Sequence, residues 1–301
     1  MRKRKWYRLL YKRLLVILTF LFAVSNVSIS QVAKNQPIKF ISPDIDIFFG
    51  YWEESIPRHS HGSVVGRDVL TKCEGDPTKP TIKGAVLTCI NSFSYATLAA
   101  HNSTQPTSLE KAQEIFYFMS GKGTMTAGGK KADLYGGIAV LMPAGLEFTI
   151  TNTGDKPLVM YLANEPIPEG FRWNDDMLVR DVNTVPFNPS TAHWSNIVKD
   201  IFRTKDGLGT LDSFITVTLD PITINRSHPS PKDSEVIWTM IKGTGLTCLG
   251  KELRKQPPGM AYMCPPDGQT AHSSINGTDE QIIFFILVGI ENMKIENKNM
   301  L

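Results

Sequence analysis

Residues 235–276 read EVIWTMIKGTGLTCLGKELRKQPPGMAYMCPPDGQTAHSSIN, and this stretch decides the fold. Its short apolar runs are separated by Gly243-Thr244-Gly245 and by Pro265-Pro266-Asp267-Gly268, which are residue types that favour tight turns. Apolar runs with turns at this spacing predict a strand, a turn, a β-hairpin, a second turn and a final strand that carries His272.

An earlier stretch, residues 113–154, repeats the same pattern. An offset of 122 to 124 residues superposes the turn residues of the two stretches: Gly121 on Gly243, Gly123 on Gly245, Pro143 on Pro265 and Asn152 on Asn276. The offset changes only in a turn, so the strands stay in register. Such a repeat indicates duplication of one antiparallel unit of roughly six to eight short strands. Short strands with Gly and Pro turns predict an all-β fold of barrels or jelly rolls.

The N-terminus has the composition of an export signal. Seven basic residues lie before Leu14, and the apolar run Leu14–Val24 is 11 residues long, too short to span a bilayer comfortably. Ser28-Ile29-Ser30 offers a cleavage site before Gln31. We predict a secreted or periplasmic protein that makes no membrane contact after cleavage. A membrane anchor formed by an uncleaved signal is the alternative.

Charge argues against a nucleic-acid partner. Without residues 1–30, the chain holds 25 Lys and Arg residues against 29 Asp and Glu residues, so it lacks a basic footprint. Export would permit disulfides between the four cysteines, and three pairings exist, among them Cys73–Cys89 with Cys248–Cys264. We favour the alternative that they are buried thiols acting as small hydrophobes.

Three further stretches carry local predictions. The aromatic run Ile45–Trp52 predicts an arm that packs onto the body, and it would also suit a homodimer contact. His59 and His61 have the spacing of metal ligands on a strand, but Pro57 and Gly62 frame them as a turn, so we interpret them as a solvated loop. Apolar residues at helical spacing predict a short helix over His193–Phe202.

Two sets of residues resemble the motif pair of the cupin family. Glu114 is followed by six residues and then Gly121, and each repeat then carries the second motif, as Pro143, Gly145, Phe148 and Asn152 and as Pro265, Gly268, His272 and Asn276. The resemblance covers roughly residues 90–287. It implies two tandem cupin domains, that is, jelly-roll β-barrels with few short helices, in an exported bicupin of bacterial type.

Composition and the resemblance together predict a division of the chain, by residue ranges: 1–30 signal peptide, 31–84 arm and loop packing on the body, 85–165 first cupin domain, 166–205 interdomain linker with the short helix, 206–291 second cupin domain, and 292–301 tail.

In cupins the barrel usually holds one divalent metal on a His-x-His…Glu motif and the second-motif histidine. The first barrel has Phe148 at that histidine position, so we expect an apolar core there, with Glu114 at the mouth or bonded to a neighbouring polar group. In the second barrel, the residues that match ligand positions are His228, Glu235 and His272. Two histidines and one carboxylate suit Fe, Mn, Ni or Zn.

One observation weakens this ligand set. Counting back from Gly243 aligns Val236, not Glu235, with Glu114, so Glu235 faces the barrel only if a bulge rotates it inward. Trp238 and Tyr262 would line the pocket of the second barrel, as Phe148 and Glu114 would line that of the first.

The resemblance leaves two functions open. One is a small-molecule-binding bicupin that acts as a metal-dependent enzyme of the dioxygenase, isomerase or aminohydrolase type through the C-terminal barrel. The other is a non-catalytic bicupin, with degenerate metal sites, that binds a ligand or serves as a scaffold, for example in a homodimer.

Overall fold

The strands of the molecule follow the turns that the sequence marks. The structure is a computed structural model, and it describes residues 44–171, 173–189 and 194–290. The strands of the first half are β1 (Phe49–Tyr51), β2 (Arg58–Ser60), β3 (Val64–Lys72), β4 (Ala85–Leu87), β5 (Ser92–Leu98), β6 (Ala112–Ser120), β7 (Gly123–Ala127), β8 (Lys130–Leu134), β9 (Ile138–Met142), β10 (Phe148–Asn152) and β11 (Leu158–Pro166).

The second half repeats this order after a connecting segment. Its strands are β12 (Leu178–Asp181), β13 (Phe187–Asn188), β14 (Ile197–Arg203), β15 (Leu211–Leu219), β16 (Thr223–Ile224), β17 (His228–Pro229), β18 (Ser234–Lys242), β19 (Gly245–Leu249), β20 (Glu252–Gln256), β21 (Met260–Met263), β22 (Ala271–Asn276) and β23 (Ile282–Ile290). The helices within the described ranges are short 3-10 turns at Ile45–Phe48, Trp52–Glu54 and Thr204–Asp206.

Each half is a two-sheet barrel. In the first, an eight-stranded sheet with the order β12-β9-β6-β11-β5-β3-β2, to which β4 is added beside β3, faces the three-stranded sheet β10-β7-β8. In the second, the seven-stranded sheet β1-β21-β18-β23-β15-β14-β13 faces the sheet β16-β22-β19-β20, to which β17 is added beside β22. The all-β fold of tandem jelly rolls predicted from the sequence is confirmed.

The two barrels exchange edge strands. The aromatic arm supplies β1, which pairs with β21 of the second barrel with Phe49 opposite Tyr262. The segment before the second barrel supplies β12, which pairs with β9 of the first barrel with Leu178 opposite Leu141. The arm therefore packs onto the body of its own chain, and Phe49 is buried there.

The large sheets also pack back to back through aromatic rings. Phe285 lies at the centre, with its ring centroid 5.2 Å from those of Phe93 and Tyr161 and 5.1 Å from that of Phe214. The interior of the first barrel is a separate apolar core that includes Phe116, Phe118 and Phe148, as the sequence predicts.

The predicted helix over His193–Phe202 is wrong. Residue 193 lies outside the described residues, and Ile197–Arg203 form β14, which pairs with β15 from Ile197 opposite Thr218. The register shifts between Asp200 and Phe202. Such a bulge breaks the two-residue alternation of a strand, so both Ile201 and Phe202 are buried and the apolar spacing imitates that of a helix.

The predicted signal peptide and the predicted tail lie outside the described residues. Within the described ranges, no helix is long and apolar enough to cross a membrane. All four cysteines are described, and no disulfide joins any two of them. Cys89 and Cys264 are buried.

Candidate functional site in the second barrel

Two histidines meet at one end of the second barrel. His272 on β22 lies directly opposite His228 on β17, and their ring centroids are 4.5 Å apart. His272 is buried, whereas His228 is partly exposed. Nδ1 of His228 lies 3.0 Å from the carbonyl oxygen of Arg226. Because a carbonyl only accepts, Nδ1 donates to it, and Nε2 carries the lone pair of the neutral ring.

The wall behind these histidines is aromatic and carries polar atoms. The ring of Trp238 lies 5.7 Å from that of His272 and stacks parallel to the ring of Tyr262. Nε1 of Trp238 is buried and has no hydrogen-bond partner among the described residues. Burial raises the pKa of Tyr262 well above its ordinary value, and contact with the Ser274 hydroxyl partly offsets this effect. The barrel interior therefore offers donors to a guest.

The neighbouring thiol is not poised for nucleophilic chemistry. Burial raises the pKa of Cys264 to about 12, although contact with the Ser230 hydroxyl lowers it in part. A thiol with such a pKa is not ionised near neutral pH, and the thiolate is the reactive form. Cys264 is therefore a buried, un-ionised thiol.

The structure does not bring Glu235 to the two histidines, which corrects its prediction as a ligand. Side chains alternate along a strand, and Trp238 on β18 points into the barrel, so Glu235 points out of it. Its Oε2 accepts hydrogen bonds from the backbone amides of Thr88 and Cys89, the second at 2.8 Å. The bulge that would turn it inward is absent at this end of β18, where Glu235 pairs with Gly289 in unbroken register.

A three-ligand metal centre therefore does not fit the residues in this barrel. Of the predicted ligands, only His228 and His272 come together. In the ranges that the structure describes, no group of three or more His, Cys, Asp or Glu residues is placed to hold a metal ion.

The first barrel holds a polar pair that sequence reasoning missed. Nε2 of His61 lies 2.9 Å from Oε2 of Glu114, and both side chains are buried. His61 sits in the turn between β2 and β3, with φ of 50°, and its ring lies 5.6 Å from that of Phe148. Glu114 thus binds a neighbouring polar group, one of the two arrangements that the sequence predicts. The prediction of a solvated loop at His61 is wrong, whereas His59 is exposed as predicted.

Comparison with known proteins agrees with the fold. Residues 94–164 match the family model for the cupin domain. No curated protein sequence matches the chain.

Solved structures extend the likeness to both barrels. A protein of E. coli called Ylba is 13% identical with a TM-score of 0.60, over 82% of this chain and 92% of its own. AerE from Microcystis aeruginosa is 13% identical with a TM-score of 0.59, over 81% and 100%. A single-residue mutant of the oxalate decarboxylase of Bacillus subtilis is 11% identical with a TM-score of 0.59, over 81% and 77%. These likenesses show a fold of two tandem jelly-roll barrels. Residues 94–164, which match the cupin-domain model, lie in the first barrel.

Proposed function

We propose that this chain is an exported bicupin that binds a small carboxylate in its second barrel without using a metal. The observation that carries the proposal is the buried indole Nε1 of Trp238, which has no partner among the described residues, on a ring that lies 5.7 Å from that of His272. An indole N–H only donates. A buried donor without an acceptor costs about 1–3 kcal/mol, and an acceptor oxygen of a ligand would recover this energy.

The side chains that form the aromatic wall beside the histidines favour the binding of an anion. Protonation of His272 would place a positive charge beside the indole ring, and charge-assisted hydrogen bonds to a carboxylate are about twice as strong as neutral ones. The parallel rings of Trp238 and Tyr262 offer a flat wall for a planar group. Oxalate, the compound named in the oxalate decarboxylase that shares this fold, has this combination of charge and planarity.

Calorimetric titration of the purified protein with oxalate tests the proposal, with neutral oxamide as the matched ligand of similar shape. We expect oxalate to bind and oxamide to bind at least tenfold more weakly. His272→Phe should abolish binding without unfolding the barrel, because the first barrel accommodates Phe148 at the same place. His101→Phe changes an exposed histidine of the first barrel and should leave binding unchanged. Absence of oxalate binding to the wild type, or full binding by His272→Phe, would contradict the proposal.

A metal-dependent enzyme is the second candidate, and the facing imidazoles favour it. Mn(II) centres are described for the Bacillus subtilis oxalate decarboxylase. Among the described residues, a metal in this barrel would have only His228 and His272 as ligands, since Glu235 points elsewhere. Elemental analysis after incubation with Mn, Fe, Ni or Zn separates the candidates. We expect far less than one metal per chain, whereas stoichiometric metal that is lost in His272→Phe would favour the enzyme.

Export is also a proposal, supported by the composition of residues 1–30. N-terminal sequencing of the protein from its native host should find Gln31 as the first residue. Retention of the full N-terminus in a membrane fraction would favour the anchored alternative.

A further inference from the structure

Two buried carboxylates hold the junction between the barrels. Glu235 of the second barrel accepts hydrogen bonds from the amides of Thr88 and Cys89, just before β5 of the first barrel. Glu165 of the first barrel accepts hydrogen bonds from the amides of Thr210 and Leu211, at the start of β15 of the second barrel, at 2.6 and 2.7 Å. Both glutamates are fully buried. Each barrel therefore binds a connecting segment of the other, residues 88–89 between β4 and β5 and residues 210–211 at the start of β15.

The repeat shows that these contacts are equivalent. The offset of 122 residues places Thr210 and Leu211 on Thr88 and Cys89. The strand pair that carries each acid is also the same, because Gln113 pairs with Glu165 just as Glu235 pairs with Gly289. The acid is on β11 in the first barrel (Glu165) and on β18 in the second (Glu235). β18 corresponds to β6 of the first barrel, so the two acids lie on different strands of the equivalent strand pair.

The two segments that the glutamates bind, residues 88–89 and residues 210–211, also contact each other. The hydroxyl of Thr210 donates a hydrogen bond to the carbonyl oxygen of Cys89 at 2.8 Å and lies 3.2 Å from Oε1 of Glu165. Cys89 packs so closely on Gly289 that a Cβ at Gly289 would lie 2.6 Å from the Cβ of Cys89. Release of either segment would therefore disturb the other.

The two acids differ in how fully they are satisfied. Glu165 accepts hydrogen bonds on both oxygens, since Nε2 of Gln113 donates to Oε2 at 2.6 Å. The hydrogen bonds that Glu235 accepts from Thr88 and Cys89 all reach Oε2, and Oε1 has no partner in the described part of the chain. An ionised Glu235 would thus be a buried charge that is only half solvated.

No charged side chain compensates Glu235 among the described residues that pack against it. The groups facing it are the amides of residues 88–90 and the Thr88 hydroxyl from the first barrel, and Gly289 from β23. Burial raises the pKa of Glu235 to about 7, and the backbone hydrogen bonds from Cys89 and Thr88 oppose this shift in part.

We propose that Glu235 is a proton-dependent latch between the two barrels, closed on residues 88–90 when protonated and opening more often when ionised. Opening lets water reach the carboxylate, so the ionised form gains solvation only in the open state. The raised pKa belongs to the closed state. Closure is therefore fully favoured at low pH, and that advantage is lost as the pH rises through about 7.

Hydrogen exchange at the amides of Thr88 and Cys89 tests the latch, because exchange measures local opening. After correction for intrinsic rates, we expect the protection factor of both amides to fall by up to about tenfold per pH unit between about pH 5 and 7. Above about pH 7 the factor should level off. Glu235→Gln should remove this dependence, because it leaves no group to titrate. Glu114→Gln, which alters a buried acid elsewhere in the first barrel, should retain it.

Protection that does not change with pH in the wild type would overturn the proposal, as would an unchanged pH dependence in Glu235→Gln. If that variant fails to fold, carboxyl-carbon NMR of the wild type still decides the question. Glu235 should then titrate near pH 7 together with the amide shift of Cys89. Titration near the ordinary value of 4.5, or a Cys89 amide that does not follow the carboxyl, would refute the latch.

Discussion

Nε2 of His61 lies 2.9 Å from Oε2 of Glu114 inside the first barrel, although 53 residues separate them in the chain. The β2–β3 turn inserts the imidazole beside Phe148, the residue that stands at the histidine position of the second cupin motif. Nδ1 of His61 is buried and has no hydrogen-bond partner among the described residues. Because Nε2 approaches a carboxylate, it carries the proton when the ring is neutral, so Nδ1 is then an unused acceptor.

Removal of this imidazole should destabilise the chain. In His61→Ala, Glu114 would be left buried without its partner, which we expect to lower the free energy of unfolding by about 3 kcal/mol. Urea unfolding measures the effect. His59→Ala, two residues earlier and exposed, should change it by less than about 0.5 kcal/mol.

A double variant separates the pair from simple loss of packing. Adding Glu114→Leu to His61→Ala removes the stranded carboxylate, so part of the stability should return. If the double variant is less stable than His61→Ala, the buried pair is not the source of the effect.

The stability of the whole chain should depend on Glu235. Its pKa is about 7 in the folded protein against 4.5 for an ordinary glutamate, so the folded state binds the proton more tightly. The contribution is therefore fully present below pH 4.5 and is lost as the pH rises to 7, by about 3 kcal/mol. The measurement is the difference in unfolding free energy between wild type and Glu235→Gln at several pH values. A difference that stays constant from pH 4.5 to 7 would contradict this expectation.

The repeat explains why the fold could be predicted from the sequence. The same turn residues recur in both halves with the strands in register. Each motif is weak by itself, but two copies in the same order indicate two barrels of the same architecture. The candidate functional site was harder to predict from the sequence than the fold. The pairing of His228 with His272 follows from motif positions, but the direction of Glu235 depends on a single residue of register. The contact between His61 and Glu114 is set by a turn 53 residues away, and Pro57 and Gly62 mark that turn in the sequence without indicating the residue that it contacts.

Removal of the Phe49 ring should show how much β1, the arm strand that pairs with the second barrel, contributes to the stability of the protein. Phe49 is buried, with its ring centroid 5.4 Å from that of Tyr262. Truncation of a buried phenylalanine costs about 3–5 kcal/mol, so Phe49→Ala should lower the free energy of unfolding by about that amount. Ile56→Ala changes an exposed residue of the same arm and should have little effect. Equal stability of the two variants would show that the arm is dispensable.

The last prediction concerns the asparagine that closes each repeat. Nδ2 of Asn276 donates hydrogen bonds to the carbonyl oxygens of Leu219, Asp220 and Glu280. Nδ2 of Asn152 makes the equivalent bonds in the first barrel, to Leu98, Ala99 and Lys156.

Substitution of either asparagine removes a donor from a buried carbonyl, that of Leu98 for Asn152 and that of Leu219 for Asn276, and an unsatisfied buried polar group costs about 1–3 kcal/mol. We therefore expect Asn152→Ala and Asn276→Ala to lower the free energy of unfolding by similar amounts, at least about 2 kcal/mol each. Chemical unfolding followed by tryptophan fluorescence measures both. The signal includes Trp238 of the second barrel and Trp52 of the arm. If Asn276→Ala is much milder than Asn152→Ala, the two asparagines are not equivalent and the second barrel tolerates an open turn where the first does not.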